Sequence, residues 1–148
     1  MPDMTHAVVL DTNVVLDWLL FRDASCAGLS GPLRQGQWLW HATAAMRGEL
    51  ASVVRRQELQ RWDPDCEYIL STFDSLTKVC AEAPSVAGAT GRLRSRDPDD
   101  QKFIDLAVGV KATWLLSRDR ALLRLARPAQ RLGIHILTPS RWQQLLAG

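Results

Sequence analysis

Four acids in this chain stand where a carboxylate has chemical consequences: Asp11, Glu49, Asp100 and Asp119. Asp11 closes the apolar run Ala7-Val8-Val9-Leu10, and Asp119 closes the run Thr113-Trp114-Leu115-Leu116-Ser117. Asp100 lies in the first turn of a helix opened by Asp97-Pro98-Asp99, immediately before that second run. Glu49 sits beside Leu50 and one turn from Met46 and Val53, on an apolar helix face where an ionised carboxylate is costly unless something offsets it. Parallel strands would bring three of these acids to one end of a sheet. Two unit charges about 4 Å apart repel by roughly 4 kcal/mol at an effective dielectric of 20. A hard divalent cation removes that repulsion, and Mg²⁺ and Mn²⁺ prefer oxygen ligands. Such a site suits phosphodiester hydrolysis, because the metal makes water nucleophilic near neutral pH and stabilises charge during in-line displacement.

Each acid also has a plainer reading. Asp11 can cap the helix that follows it. Asp97, Asp99 and Asp100 form an acidic first turn that favours the helix dipole, and for Asp97 and Asp99 this is the preferred reading. Glu49 can be neutralised by Arg47 or Arg118 in place of a metal. Asp17 and Asp105 read as solvated or ion-paired residues. The three histidines are too scattered for a zinc site. There is no Gly-rich phosphate loop, and no serine or cysteine has a nucleophile context.

The elements that position the acids follow from periodicity. Ala7–Leu10 reads as a buried strand, and the run from Val14 to Phe21 as a helix with Asn13 as its N-cap. Gln37–His41 is a second strand, followed by a helix near Ala44–Arg56 that Thr43 caps. Asp63-Pro64-Asp65 reads as a helix start, with Ile69, Phe73 and Leu76 at packing intervals behind it. Thr77–Ala81 is a short third strand. Ala83–Arg96 is a loop rich in Gly, Ser, Ala and Pro that ends in Arg92, Arg94 and Arg96. Phe103, Ile104 and Ala107 mark the next helix, and Thr113–Ser117 is a strand. A short helix carries Leu122, Leu123 and Leu125. The last strand, Ile134–Leu137, follows Gly133, and Thr138-Pro139 opens the final helix. Strands alternating with helices imply a mainly parallel sheet covered on both faces, a three-layer α/β/α sandwich.

Composition bounds the function classes. At 148 residues the natural expectation is one domain, spanning 1–148. A 47% hydrophobic and 23% charged make-up is ordinary for a soluble globular domain. Lysine occurs only at Lys78, Lys102 and Lys111, so nearly all the basic residues are arginine. Arginine suits bidentate phosphate contacts, although a GC-rich coding bias gives the same composition. Cys26, Cys66 and Cys80 are odd in number and widely spaced, so a reducing cytoplasm is the expected compartment. The N-terminal stretch does not read as a signal peptide, and no apolar run approaches the roughly 18 residues of a membrane span.

LDTNVVL near the start, MRGEL on the following helix, DPDDQKFIDLA and LLSRD together resemble the PIN domain, in the branch of VapC-like predicted toxins. The resemblance runs from about Val8 to about Pro139 and implies a Rossmann-like sandwich. It implies that Asp11, Glu49, Asp100 and Asp119 ligate Mg²⁺ or Mn²⁺, with Thr12, Asn13 and Ser117 around them. It further implies a ribonuclease, often dimeric, that acts on RNA and is paired with an antitoxin as a type II toxin. Asp100 is preferred to Asp99 because Phe103, Ile104 and Ala107 follow it at the family's spacing, and a shift by one residue would turn the acid about 100° around the helix. Lys111 departs from the family, which usually has Gly there. Arg92, Arg94, Arg96, Arg118 and Arg120 are candidate contacts to the RNA backbone, with an ordinary solvated surface as the alternative.

Two other functions compete. A non-catalytic nucleic-acid or protein-binding module of the same fold would be expected to lose one or more acids, and all four are present. A phosphotransferase of the haloacid-dehalogenase type needs a second acid two residues after the first, where this chain has Asn13.

Overall fold

The computed structural model describes residues 6–80 and 93–147. Its centre is a five-stranded sheet in the order β3-β2-β1-β4-β5, with every neighbouring pair parallel. The strands are β1 (His6–Leu10), β2 (Trp38–Thr43), β3 (Thr77–Cys80), β4 (Trp114–Leu116) and β5 (His135–Leu137). Between and after them run α1 (Thr12–Leu19), α2 (Ser30–Arg34), α3 (Ala44–Val54), α4 (Cys66–Leu76), α5 (Gln101–Val110), α6 (Arg120–Leu123), α7 (Ala126–Gln130) and α8 (Pro139–Ala147). The expected alternation and parallel sheet are observed, and the architecture is the three-layer α/β/α sandwich.

Parallel strands need long crossovers, which the chain builds from helices that cover the sheet. β1 is central and fully apolar where it enters the core: Val8, Val9 and Leu10 are buried. Tryptophans fill one face of the sheet. Trp40 meets Trp18 of α1 and Phe73 of α4, with ring centroids 5.7 and 5.0 Å away. Trp38 and Trp114 both pack edge-on against Trp142 of α8. Edge-to-face contacts of this kind are favourable beyond the area they bury.

The chain ends its helices and turns by local chemistry. Thr43 caps α3 as expected, its hydroxyl accepting from the Met46 N–H at 3.2 Å. Thr138 caps α8 in the same way through the Arg141 N–H. Two expected starts differ. Asp11, not Asn13, caps α1, because the Asp11 carboxylate accepts the Asn13 N–H at 3.2 Å. Asp65, not Asp63, caps α4, so Pro64 lies outside the helix; Asp63 takes a left-handed turn (φ 48°) that closes the 3₁₀ turn Gln57–Trp62. The sequence pattern also did not resolve α7, because Pro128 within Ala126–Gln130 hides so short a helix. Most of the Ala83–Arg96 loop, including Arg92, lies outside the described residues.

Lys111 is the C-terminal cap of α5 and adopts φ +54°, the left-handed region where a side chain is strained. That accounts for a glycine being usual there in the family the sequence resembles. Lys111→Gly is expected to raise stability by about 1 kcal/mol, or roughly 3 °C in melting temperature, measured by circular dichroism. An unchanged or lower Tm would show that the Lys111 side chain compensates for its backbone.

Candidate active site

The strand order changes direction between β1 and β4: from β1 the chain proceeds outward to β2 and β3, and from β4 outward the other way to β5. In open parallel sheets the crevice beyond the carboxyl ends of such a strand pair is the usual ligand position. The register matches Leu10 with Leu116, which sets Asp11 opposite Ser117. The Asp11 N–H continues the ladder to the Leu116 carbonyl at 3.0 Å. Ser117, wholly buried, donates its hydroxyl to Asp11 Oδ2 at 2.6 Å and accepts the Asp119 N–H at 2.9 Å. One hydroxyl therefore fixes both strand-end acids.

Asp119 turns its Oδ1 to the Ala121 N–H at 2.8 Å and so caps α6. Asp100 arrives from the other side, at the junction of the 3₁₀ turn Pro98–Asp100 and α5. It is buried, and its Oδ2 has no hydrogen-bond partner among the described residues. Asp97, Asp100 and Asp119 each offer a ligand atom, all within 4.8 Å of one another. Asp97 was expected to serve only the helix terminus. It does cap that turn, accepting the Asp99 N–H at 3.0 Å, and it also joins the cluster. Its DPDD spacing was the signal, since a cap at the start of a 3₁₀ turn lies on the same side as the third residue after it. Asp99 is exposed and is not in this cluster.

Glu49 comes from the second turn of α3 and is partly exposed. Its charge acts on Asp11, so it belongs to the same field. The cation beside it is neither expected arginine. Lys102 of α5 forms the ion pair, while Arg47 bonds Asp74 at 2.7 Å and Arg118 reaches Asp17 and Asp23 at 3.4 and 3.0 Å. Thr12 is buried beside Asp11, and Asn13 contributes its N–H while its side chain is exposed. Of the candidate phosphate contacts, Arg94, Arg96 and Arg120 are exposed, and the Arg118 guanidinium is tied to its two aspartates and to the Ser25 hydroxyl. Asp105, read as solvated or ion-paired, accepts a hydrogen bond from the Gln101 amide.

The electrostatics of this gathering are unfavourable without a counter-charge. Burial raises the Asp11 carboxyl above its usual range, with the Ser117 and Asn13 hydrogen bonds opposing and the charges of Asp119 and Glu49 adding to the rise. Asp100 is pushed up to about 7 by burial, by a hydrogen bond shared with Asp119, and by the charges of Asp119, Asp11 and Asp97. An all-oxygen donor set, crowded and with a buried oxygen left unpartnered, fits a hard divalent cation.

The fold and the site together define a class: a parallel α/β sandwich with a carboxylate cluster at its switch point. The chain belongs to the PIN domain family, whose model matches residues 7–121. Its fold is similar to that of a chain in the crystal structure of VapBC2 from Rickettsia felis bound to a DNA fragment from their promoter, with a TM-score of 0.60 and 13% identity over 88% of this chain and 96% of that one. No curated protein matches the sequence.

The Asp100 shift makes a signed prediction for the metal-free protein. A carboxyl that titrates near 7 when folded and near 3.8 when unfolded lends most stability below pH 4, loses it as pH rises to 7, and changes little above that. Melting temperature in chelator-treated buffer is expected to fall across that window, and Asp100→Asn to flatten the fall. A wild-type profile with no decline between pH 4 and 7 would remove the claimed proton from Asp100.

Proposed function

We propose that this chain is a divalent-cation-dependent endoribonuclease that hydrolyses RNA phosphodiester bonds as the toxin of a type II toxin–antitoxin pair. The observation that carries the reading is the cluster of Asp97, Asp100 and Asp119 at the switch point of a PIN-family sheet, with the charges of Asp119 and Glu49 felt at Asp11. Asp11, Glu49, Asp100 and Asp119 would hold Mg²⁺ or Mn²⁺, with Asp97 at the margin. When bound, such a cation supplies a water nucleophile near neutral pH and offsets charge developing on the phosphate.

The chain's own groups do the rest. Ser117 holds Asp11 by Oδ2 and Asp119 by its N–H, which fixes the Asp11 carboxylate and the Asp119 backbone beside it. The Asn13 and Ala121 N–H groups take the remaining defined oxygens, Asp11 Oδ1 and Asp119 Oδ1. The exposed Arg94, Arg96 and Arg120 would hold RNA by its phosphates, with no base-reading pattern. An antitoxin partner is supported by the likeness to VapBC2 and by exposed apolar surface: Phe21 and Trp62 stack edge-on at 5.1 Å with Tyr68 exposed nearby in sequence. Among the described residues no helix is long and apolar enough to cross a membrane.

Purified protein is expected to cleave RNA with Mn²⁺ or Mg²⁺ and to stop with EDTA. Asp11→Asn should lower cleavage at least a hundredfold. Its Tm in metal-free buffer should hold or rise, because the amide oxygen still caps α1, its NH2 can donate to the Ser117 hydroxyl in place of accepting from it, and one buried charge is gone. Metal-independent cleavage, or full activity in Asp11→Asn, would sink the reading. A protein that binds RNA but neither metal nor cleaves would be the binding module of the same fold.

A further inference from the structure

Lys102 stands in the first turn of α5, where the helix dipole disfavours a cation. Its ammonium is held there by three contacts: the ion pair with Glu49 from α3, a 2.7 Å hydrogen bond donated to the Asp99 carbonyl, and the Phe103 ring with its centroid 5.0 Å away. Among the described residues, Glu49 is the one member of the four-acid set with an ion-pair partner; Asp11, Asp100 and Asp119 have none. The carboxylate set thus carries a built-in positive charge two residues from Asp100. Both partners are partly exposed, at 29% and 32% for the side chains, so the pair can open without moving either helix.

We propose that Lys102 is a positioning residue for Glu49 that competes with the divalent cation, so that cation binding requires Glu49 to exchange the Lys102 ammonium for the metal. The inference rests on the proposed cation site. Two effects act in the same direction. The ion pair occupies a carboxylate the cation needs, and the ammonium repels a divalent charge held by the neighbouring acids. Lys102 therefore weakens cation affinity and keeps the site folded and partly neutralised when cation is scarce. Arginine at this position would keep the charge and the competition, while methionine would keep the aliphatic stem and lose both.

The test is Mn²⁺ binding by titration calorimetry on the intact chain, with no RNA present. Lys102→Met is expected to tighten Mn²⁺ binding by about three- to tenfold, the scale of a partly exposed ion pair and a removed like charge. Lys102→Arg should stay within about threefold of wild type. The gain should shrink when Lys102→Met is combined with Glu49→Gln, measured against Glu49→Gln alone, because the ion-pair part of it runs through Glu49 and only the charge repulsion is left; a gain undiminished in that background would overturn the role of Glu49. Circular dichroism melting monitors folding, and Lys102→Gln replaces the methionine variant if that one melts early. Unchanged or weaker Mn²⁺ affinity in a folded Lys102→Met protein would overturn the proposal while leaving the cation site intact. No Mn²⁺ binding by the wild type would overturn the cation site itself, and this inference with it.

Discussion

Pairing of β1 with β4 sets side by side two parallel strands whose following connections run in opposite directions across the sheet, so their carboxyl ends cannot be covered by the same crossover. A crevice results. Its walls are backbone, and its first polar residues are whatever follows Leu10 and Leu116. In this chain those residues are Asp11 and Ser117, joined by a 2.6 Å hydrogen bond that spans 106 residues of sequence. Without that bond, two N–H groups and a buried carboxylate lose their fixed geometry, and a buried acid left unsatisfied is costly. The fold and the acidic site thus share one contact.

Capping and ligation, treated as rivals in the sequence, coexist in the structure. A carboxylate has two oxygens, so one can accept the N–H of a helix start while the other serves a different partner. Asp11 gives Oδ1 to Asn13 and Oδ2 to Ser117. Asp119 gives Oδ1 to Ala121, and Asp97 gives Oδ1 to Asp99. Each helix start thereby aims an acid at the crevice at no cost to the helix. Asp100 is different: it caps nothing through its side chain, it is buried, and its Oδ2 is unpartnered.

Much of this was readable in advance, for a physical reason. Strand runs such as Ala7–Leu10 and helix faces such as Met46 and Leu50 are local patterns, and in a parallel sheet the ends of the strands converge by topology alone. The fold class and the meeting of Asp11 with Asp119 followed from that. What did not follow was lateral. Nothing in the sequence says which cation from which helix reaches Glu49, and proximity along the chain pointed to Arg47, whereas α5 supplies Lys102. Arg118, adjacent to Asp119 in sequence, turns away toward Asp17 and Asp23, because the residue after a strand-end site residue faces the other side. Asp97 looked like a helix cap because it is one; its second neighbourhood is set by a 3₁₀ turn that periodicity cannot distinguish from the first turn of an α-helix.

The charge pattern carries the argument to substrate. The net charge of +2 conceals a separation, with carboxylates in the crevice and Arg94, Arg96 and Arg120 exposed on residues close to it in sequence. A phosphate drawn by those arginines meets carboxylate repulsion at the centre. On the proposed function, the cation reverses that repulsion, so cation and RNA each raise the other's affinity, and by linkage they do so equally. Lys102 belongs in this balance. Paired with Glu49, it lowers the negative charge of the empty crevice and so limits both the repulsion of RNA and the attraction for metal. A chain with a neutral residue there would bind metal sooner and would have a more repulsive crevice when empty. The ammonium therefore sets where along the cation concentration range the two ligands become mutually dependent.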